Sequence, residues 1–469
     1  MALRDSLANY FGFEEHGTTL QTEVLAGITT FLTMSYIVVV NPSILADNPE
    51  IPIQDGISVP GYSYPEVVSM LAVVTIIAAA TATLIMALYA NRPFAQAPGL
   101  GLNAFFAFTV VGSLGISWQT ALAAVVVEGI VFIILTAVGA REYVIRVFPE
   151  PVKFAVGTGI GLFLAIIGLQ AMGIVVDDPE TLVQLGGVAS DPVAIVSVVG
   201  LLFTFALYAR GIRGSVVVGI VATTLLGWGV ATAGLVSGEA ADALVAGGAS
   251  TTYDITPLAG AFISGLADIE AFTFALVVFT FFFVDFFDTA GTLTGVAQIA
   301  GFLDDEGNLP DIDKPLMADA VGTTIGGMLG TSTVTTYVES ASGVEEGGRT
   351  GMTALVVALL FLASLAVVPL AAAIPLYASH IALVVIGVVM LSNVVDIAWD
   401  DLSYAIPAGM TILVMPLTYS IATGIAAGII TFPIVKAARG EWSDVRPGHW
   451  VLAGAFVLYY VVRTNTLAA

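Results

Sequence analysis

The chain has 469 residues, of which 58% are hydrophobic and only 10% charged, with a mean hydropathy of +0.98. A water-soluble globule of this size cannot hide so much apolar surface in its core, so the composition specifies a polytopic membrane protein. The net charge of −23, from 36 acidic against 13 basic residues, argues against nucleic-acid partners and fits a chain whose self-repulsion is screened by salt, as in a halophile.

Residues 1–23 carry Arg4, Asp5, Glu14, Glu15 and Glu23 without a continuous apolar core, so they read as a cytoplasmic N-terminal segment with no cleaved signal peptide. A transmembrane helix needs roughly 20 apolar residues. Nearly uncharged runs follow at 24–40, 67–89, 99–112, 119–139, 152–173, 192–209, 214–236, 271–296, 315–330, 335–344, 350–370, 376–395, 402–419 and 420–436, fourteen in all, of which the third and tenth are undersized. With the N-terminus inside, alternation places Arg4, Arg92, Arg141, Arg146, Lys153, Arg210, Arg213, Lys314, Arg349, Lys436, Arg439 and Arg446 in the cytoplasm, as basic residues prefer. The opposite face receives "ADNPEIPIQDG", "VVDDPE" and the long 237–270 segment, which contain no Lys or Arg. Only Arg463 dissents; the run 450–462 within the C-terminal segment 441–469 is either an extra crossing or a helix lying at the interface.

Cysteine is absent, which excludes disulfides and thiolate centres, and His16, His380 and His449 are too scattered to form a ligand cluster. No cofactor and no metal is expected. Cut into halves of seven, the chain places an undersized span third in each half, and the odd count inverts the second half relative to the first. Inverted repeats with interrupted helices in matching positions mark a secondary transporter's site near the bilayer midplane. The sequence "RPFAQAPGLGLNAFFAF" (92–108) has two prolines and a glycine pair before its helical residues, and "GMLGTSTVTTYVES" (327–340) has a β-branched run that prefers extended backbone. A short strand is therefore predicted before a half-helix in each. Extended backbone cannot face lipid, so the strands must be buried, and they can pair with each other. Each half-helix then offers a positive N-terminal end.

Five carboxylates fall within the predicted spans: Glu128, Asp285, Asp288, Asp319 and Glu339. Each charge at mid-membrane costs about 2.5 to 3.5 kcal/mol on insertion scales, so a functional role is the default and a helix-packing hydrogen bond the alternative. A carboxyl kept from water can take up a proton and exchange it with either side. Asp285 and Asp288 are three apart on one helix, where like charges disfavour double ionisation. Phe281, Phe282, Phe283, Phe286 and Phe287 around them are expected mostly against lipid. Asn103, after the glycine pair, offers donors and an acceptor to a neutral heterocycle or to a neighbouring helix. "GLGLNA" (99–104) matches a dinucleotide pattern but lacks a βαβ context and is set aside, while "GTGIG" (157–161) and "GIAAG" (424–428) indicate close helix contact.

"TEVLAGITTFLTMSYIVVVNPSIL" (22–45), "APGLGLNAFFAFTVV" (97–111), "FVDFFDTAGTLTGVA" (283–297) and "ADAVGTTIGGMLGTSTVTTYVESASGVEEGGRTG" (318–351) resemble the signature blocks of the AzgA-like purine permeases, a branch of the xanthine/uracil permease or nucleobase:cation symporter family. The resemblance reaches from about residue 11 to 440. It implies an all-α permease domain over 24–440, with a core (24–139 and 271–370) that carries the substrate past a gate (152–236 and 376–436) in an elevator-like cycle. It also implies a site in which Glu339 grips the base, with Asp288 (and Asp285 beside it), Asn103 and the supporting Asp319. The implied activity is import of adenine, guanine or hypoxanthine with a proton across the plasma membrane; related branches carry xanthine, urate or uracil. On this reading Thr335 and Thr336 supply hydroxyl or backbone contacts, Asp288 with Asp285 takes the proton, Glu128 and Asp319 support, and Arg349 is a cytoplasmic anchor. Homodimerisation through the gate helices stays open. Two other readings are a sulfate-type anion carrier, which four or five buried carboxylates oppose, and an aspartyl protease built on Asp285 and Asp288, which one helix cannot aim at a single water.

Overall fold

The computed structural model describes residues 2–48, 55–139, 148–245, 250–267, 269–304 and 309–467. Arg141 and Arg146, assigned above to the cytoplasm, and part of the first outer loop lie outside the described residues. Among these residues, ten helices are long and apolar enough to cross a bilayer, and Leu100–Ser113, Leu402–Leu417 and Pro447–Leu458 are shorter apolar helices. Helix starts follow local capping chemistry. Asp191 accepts a bond from the Val193 N–H at 2.9 Å with Pro192 at the first helical position, and Ser117 and Asp401 cap Trp118–Ala137 and Leu402–Leu417 in the same way.

The first predicted span is longer than expected. It forms two helices, Leu20–Met34 and Ile37–Leu45, so that Glu23, assigned by sequence to the N-terminal segment, lies inside a helix and is fully buried. Glu23 accepts bonds from the N–H groups of Arg349, Thr350 and Thr353 and from the Thr353 hydroxyl at 2.6 Å. These are the donors that a helix start leaves open, here at Gly351–Ser364, and a carboxylate is the natural partner for them.

The centre of the molecule is a pair of three-residue strands, β1 (Gln96–Pro98) and β2 (Val334–Thr336). They run antiparallel, with Gln96 opposite Thr336, Ala97 opposite Thr335 and Pro98 opposite Val334. β1 leads into Leu100–Ala104, which continues as a π-helix to Ser113, and β2 leads into the short helix Ser340–Glu345. Two strands alone leave backbone groups open on their outer edges. Helix hydroxyls close them: Thr83 both donates to the Gln96 carbonyl (3.0 Å) and accepts from its N–H (2.9 Å), and Thr323 donates to the Val334 carbonyl (2.7 Å). Thr83 and Thr323 sit in the second and ninth predicted spans, which correspond when the chain is cut into halves.

The helices Leu20–Met34, Tyr64–Ile85 and Trp118–Ala137 pack with Asp313–Leu329 and Gly351–Ser364 around these strands. A second set, Glu150–Ala171, Pro192–Ala209, Ser215–Thr232, Ile381–Met390, Leu402–Leu417 and Ile421–Ala438, packs mostly within itself. Within that set the backbones approach closely: a Cβ on Gly161 would lie 2.8 Å from the Gly387 carbonyl oxygen, which explains the glycines of the 157–161 stretch.

The phenylalanines of Ala271–Ala300 correct the sequence reading. Phe281, Phe282, Phe283 and Phe286 are buried inside the protein and not turned to lipid, in mostly edge-on or tilted ring contacts with Phe105, Phe132 and Phe148. This helix is apolar on several faces because it has protein neighbours on several faces. The C-terminal run forms a helix, Pro447–Leu467, that packs along Ile421–Ala438 and places Phe456 against Phe279.

Candidate functional site

Side chains alternate along a strand, and the hydroxyls of "TSTVTT" are sorted by that alternation. Thr333 donates to Glu128 Oε2 (3.3 Å), and Thr335 bonds the Thr289 hydroxyl (2.6 Å), so both face the helices Trp118–Ala137 and Ala271–Ala300. Thr336 donates to Asp319 Oδ1 at 3.0 Å. Asp319 is a hub: Oδ1 also accepts from Gln96 Nε2 (3.0 Å) and Oδ2 accepts from the Thr289 hydroxyl (3.0 Å). One buried carboxylate thus fastens β1, β2 and the eighth-span helix. Thr335 and Thr336 are themselves buried and their hydroxyls committed, so they position the strand.

Glu128 and Asp285 are fully buried and meet each other across the fourth- and eighth-span helices, within hydrogen-bonding reach. Spacing along the sequence had paired Asp285 with Asp288. Tertiary packing adds Glu128 as a partner of Asp285, while Asp288, half-buried on the adjacent face, is within electrostatic reach of both Asp285 and Glu339. The protease dyad has no geometry here.

Glu339 is half-buried and immediately precedes the short helix Ser340–Glu345. The Tyr36 hydroxyl donates to Glu339 Oε1 at 2.6 Å, from the break between the two helices of the first span. Tyr208, from Pro192–Ala209 in the second helix set, also lies within electrostatic reach of Glu339. Glu339 and Asp288 therefore stand at the boundary of the two sets. Asn103 is fully buried; its Oδ1 accepts from the Ser332 hydroxyl, and its Nδ2 has no partner among the described residues. Arg349 donates through Nη1 to the carbonyls of Val344 (2.7 Å) and Gly348 (2.8 Å), closing the far end of the Ser340–Glu345 helix.

Tyr36, Gln96, Thr289 and Ser332 were missed by the sequence reading. Asn41 was missed as well; it donates to the hydroxyls of Thr75 (2.6 Å) and Thr331 (3.0 Å) and ties the approach to β2 to the first two spans. The only sequence signal was that these are polar residues inside apolar runs, weaker than a charge. A cavity of about 350 Å³ lies elsewhere, lined among others by Glu150, Lys153, Tyr404, Lys436 and Arg446, and none of the predicted residues borders it.

Paired strands joined to short helices, with carboxyls gathered around the crossing, define a membrane carrier. The fold is shared with the transmembrane domain of a cyanobacterial bicarbonate transporter, BicA, at a TM-score of 0.57 and 15% identity, covering 87% of this chain and 97% of that one. A family model described as "Permease family", that of the xanthine/uracil permeases, matches residues 21–427. The adenine permease AdeP of Escherichia coli (strain K12) is 40% identical over 97% of this chain and 96% of its own length. The guanine/hypoxanthine permease PbuO of Bacillus subtilis (strain 168) is 41% identical over 93% and 96%. The chain belongs to the xanthine/uracil permease family, a multi-pass membrane transporter and not an enzyme.

Proposed function

We propose that the protein imports purine nucleobases, namely adenine, guanine and hypoxanthine, in symport with protons across the plasma membrane. Relatives named as adenine and guanine/hypoxanthine permeases match along nearly the whole chain, which supports a purine cargo. The observation that carries the site is the pair of half-buried carboxylates, Glu339 and Asp288, beside the paired strands at the boundary of the two helix sets. A purine edge mixes donors and acceptors, which carboxylate, hydroxyl and amide groups complement without a fixed net charge. Glu339, oriented by Tyr36, grips the base; the open Nδ2 of Asn103 is a further donor once the site widens; Thr335 and Thr336 hold the strand. Asp288, with Asp285, takes the proton.

In this reading the chain crosses fourteen times as a 7+7 inverted repeat with a cytoplasmic N-terminus. The core (24–139 and 271–370) slides past the gate (152–236 and 376–436), and two copies can pair through gate helices. The terminal helix is a fifteenth crossing or lies in the interface. A uracil, xanthine or urate carrier of the same fold is the other cargo class. An anion carrier shares the fold but would require a basic or uncharged site. Uptake of radiolabelled adenine, guanine, hypoxanthine, xanthine and uracil by cells expressing the chain tests the proposal. Saturable uptake of the first three is expected, and uptake confined to uracil or xanthine would reassign the cargo.

A further inference from the structure

The described residues leave one pair of acid groups facing each other in the interior. Glu128 and Asp285 are both fully buried, and their carboxyls are within hydrogen-bonding reach across two helices. Glu128 Oε2 accepts from Thr333, and Asp285 Oδ1 has a long contact of 3.5 Å from Thr289. The remaining oxygens, Glu128 Oε1 and Asp285 Oδ2, receive no donor from any described residue. The charged groups acting on the pair from the packed elements are Asp319 and Asp288, both acidic. Two adjacent carboxylates cannot both stay ionised in a low-dielectric interior without a cation or a proton between them. A proton makes one carboxyl a donor to the other and supplies the hydrogen bond that the surrounding residues do not.

We propose that Glu128 and Asp285 share a single proton and together form the inner part of the transporter's cation site, with Asp288 passing the proton between this pair and the boundary of the two helix sets. This rests on the proton-symport reading above and adds Glu128 to it. At rest the pair holds one proton and one negative charge. Uptake of a second proton from outside yields two neutral acids, and its release to the cytoplasm restores the shared state, so one proton crosses per cycle. Thr333 joins Glu128 to the strand β2, and Thr335, through Thr289, joins Asp285 to it; the same segment ends in Glu339 three residues on from Thr336. A change in the pair therefore reaches the cargo site through one short segment, from Thr333 through β2 to Glu339.

The test uses the purified full chain in liposomes. Purine-driven proton uptake is followed with a pH-sensitive dye, and the carboxylic-acid C=O band by infrared spectroscopy. Glu128→Gln and Asp285→Asn are each expected to lose at least tenfold in purine accumulation driven by a pH gradient while retaining measurable purine exchange. Each should also remove the shared acid band, and the double substitution should add little to either single one. A Glu128→Gln protein with the wild-type proton-to-purine ratio and an unaltered acid band would overturn the proposal. Should these variants not fold, carboxyl-¹³C labelling of glutamate and, separately, of aspartate in the wild-type protein must each shift the band; a band unmoved by either label sinks the idea. Failure of the symport reading looks different: the wild-type protein would then carry purine without any proton, whatever the acid band does.

Discussion

Glu339 receives a short hydrogen bond from Tyr36, and that contact is the most economical place to probe the site. A hydrogen bond to a charged group contributes about 1.5 to 3 kcal/mol. Tyr36→Phe keeps the ring and removes only the donor, so it should raise the KM for purine uptake by about tenfold or more at normal membrane levels. An unchanged KM would make Tyr36 a bystander. Asp288 differs from Asp285 in being half-buried. Uptake by a proton symporter rises as the external pH falls, and Asp288→Asn should flatten that profile; an unaltered pH dependence of radiolabelled uptake would take Asp288 out of the proton's path. The five carboxylates were legible in the sequence because a charge in an apolar run is costly and so conspicuous. Their grouping was not, since spacing on one helix pairs Asp285 with Asp288 and only tertiary packing pairs it with Glu128. Glu23 was misread because a charge at the edge of an apolar run looks like an interface residue, whereas its donors come from a helix start more than 300 positions away.

The crossing of β1 and β2 sets how tightly the site is framed. Its existence could be inferred from a β-branched run, two prolines and two glycines, combined with the rule that extended backbone cannot face lipid. The hydroxyls that close its edges, Thr83 and Thr323, could not, since threonine is ordinary within a transmembrane helix. The glycines here are required by contact. A Cβ on Gly101 would stand 2.7 Å from Ile160 Cγ2, a residue of Glu150–Ala171 in the other helix set. If that boundary slides during transport, Gly101→Ala should slow uptake several-fold with expression intact, and the added Ile160→Ala should restore much of it. Full activity in Gly101→Ala would show that the boundary tolerates the extra methyl and does not move as proposed.

At the scale of the molecule, one polar contact between the two helix sets is that of Arg213, on the link between Pro192–Ala209 and Ser215–Thr232, with Glu346 just past the Ser340–Glu345 helix. The expected orientation rests on the separation of basic from acidic loops, while the partition into two sets depended on the resemblance, because helix neighbours are chosen by packing and leave little trace in composition. The central claim is that a purine is held at Glu339 beside the crossed strands. Equilibrium binding of radiolabelled adenine and hypoxanthine to the purified wild-type protein and to its Glu339→Gln variant tests it most directly. Saturable wild-type binding with loss of at least a hundredfold in affinity in the variant is the expected result; equal affinities in the two proteins would contradict it.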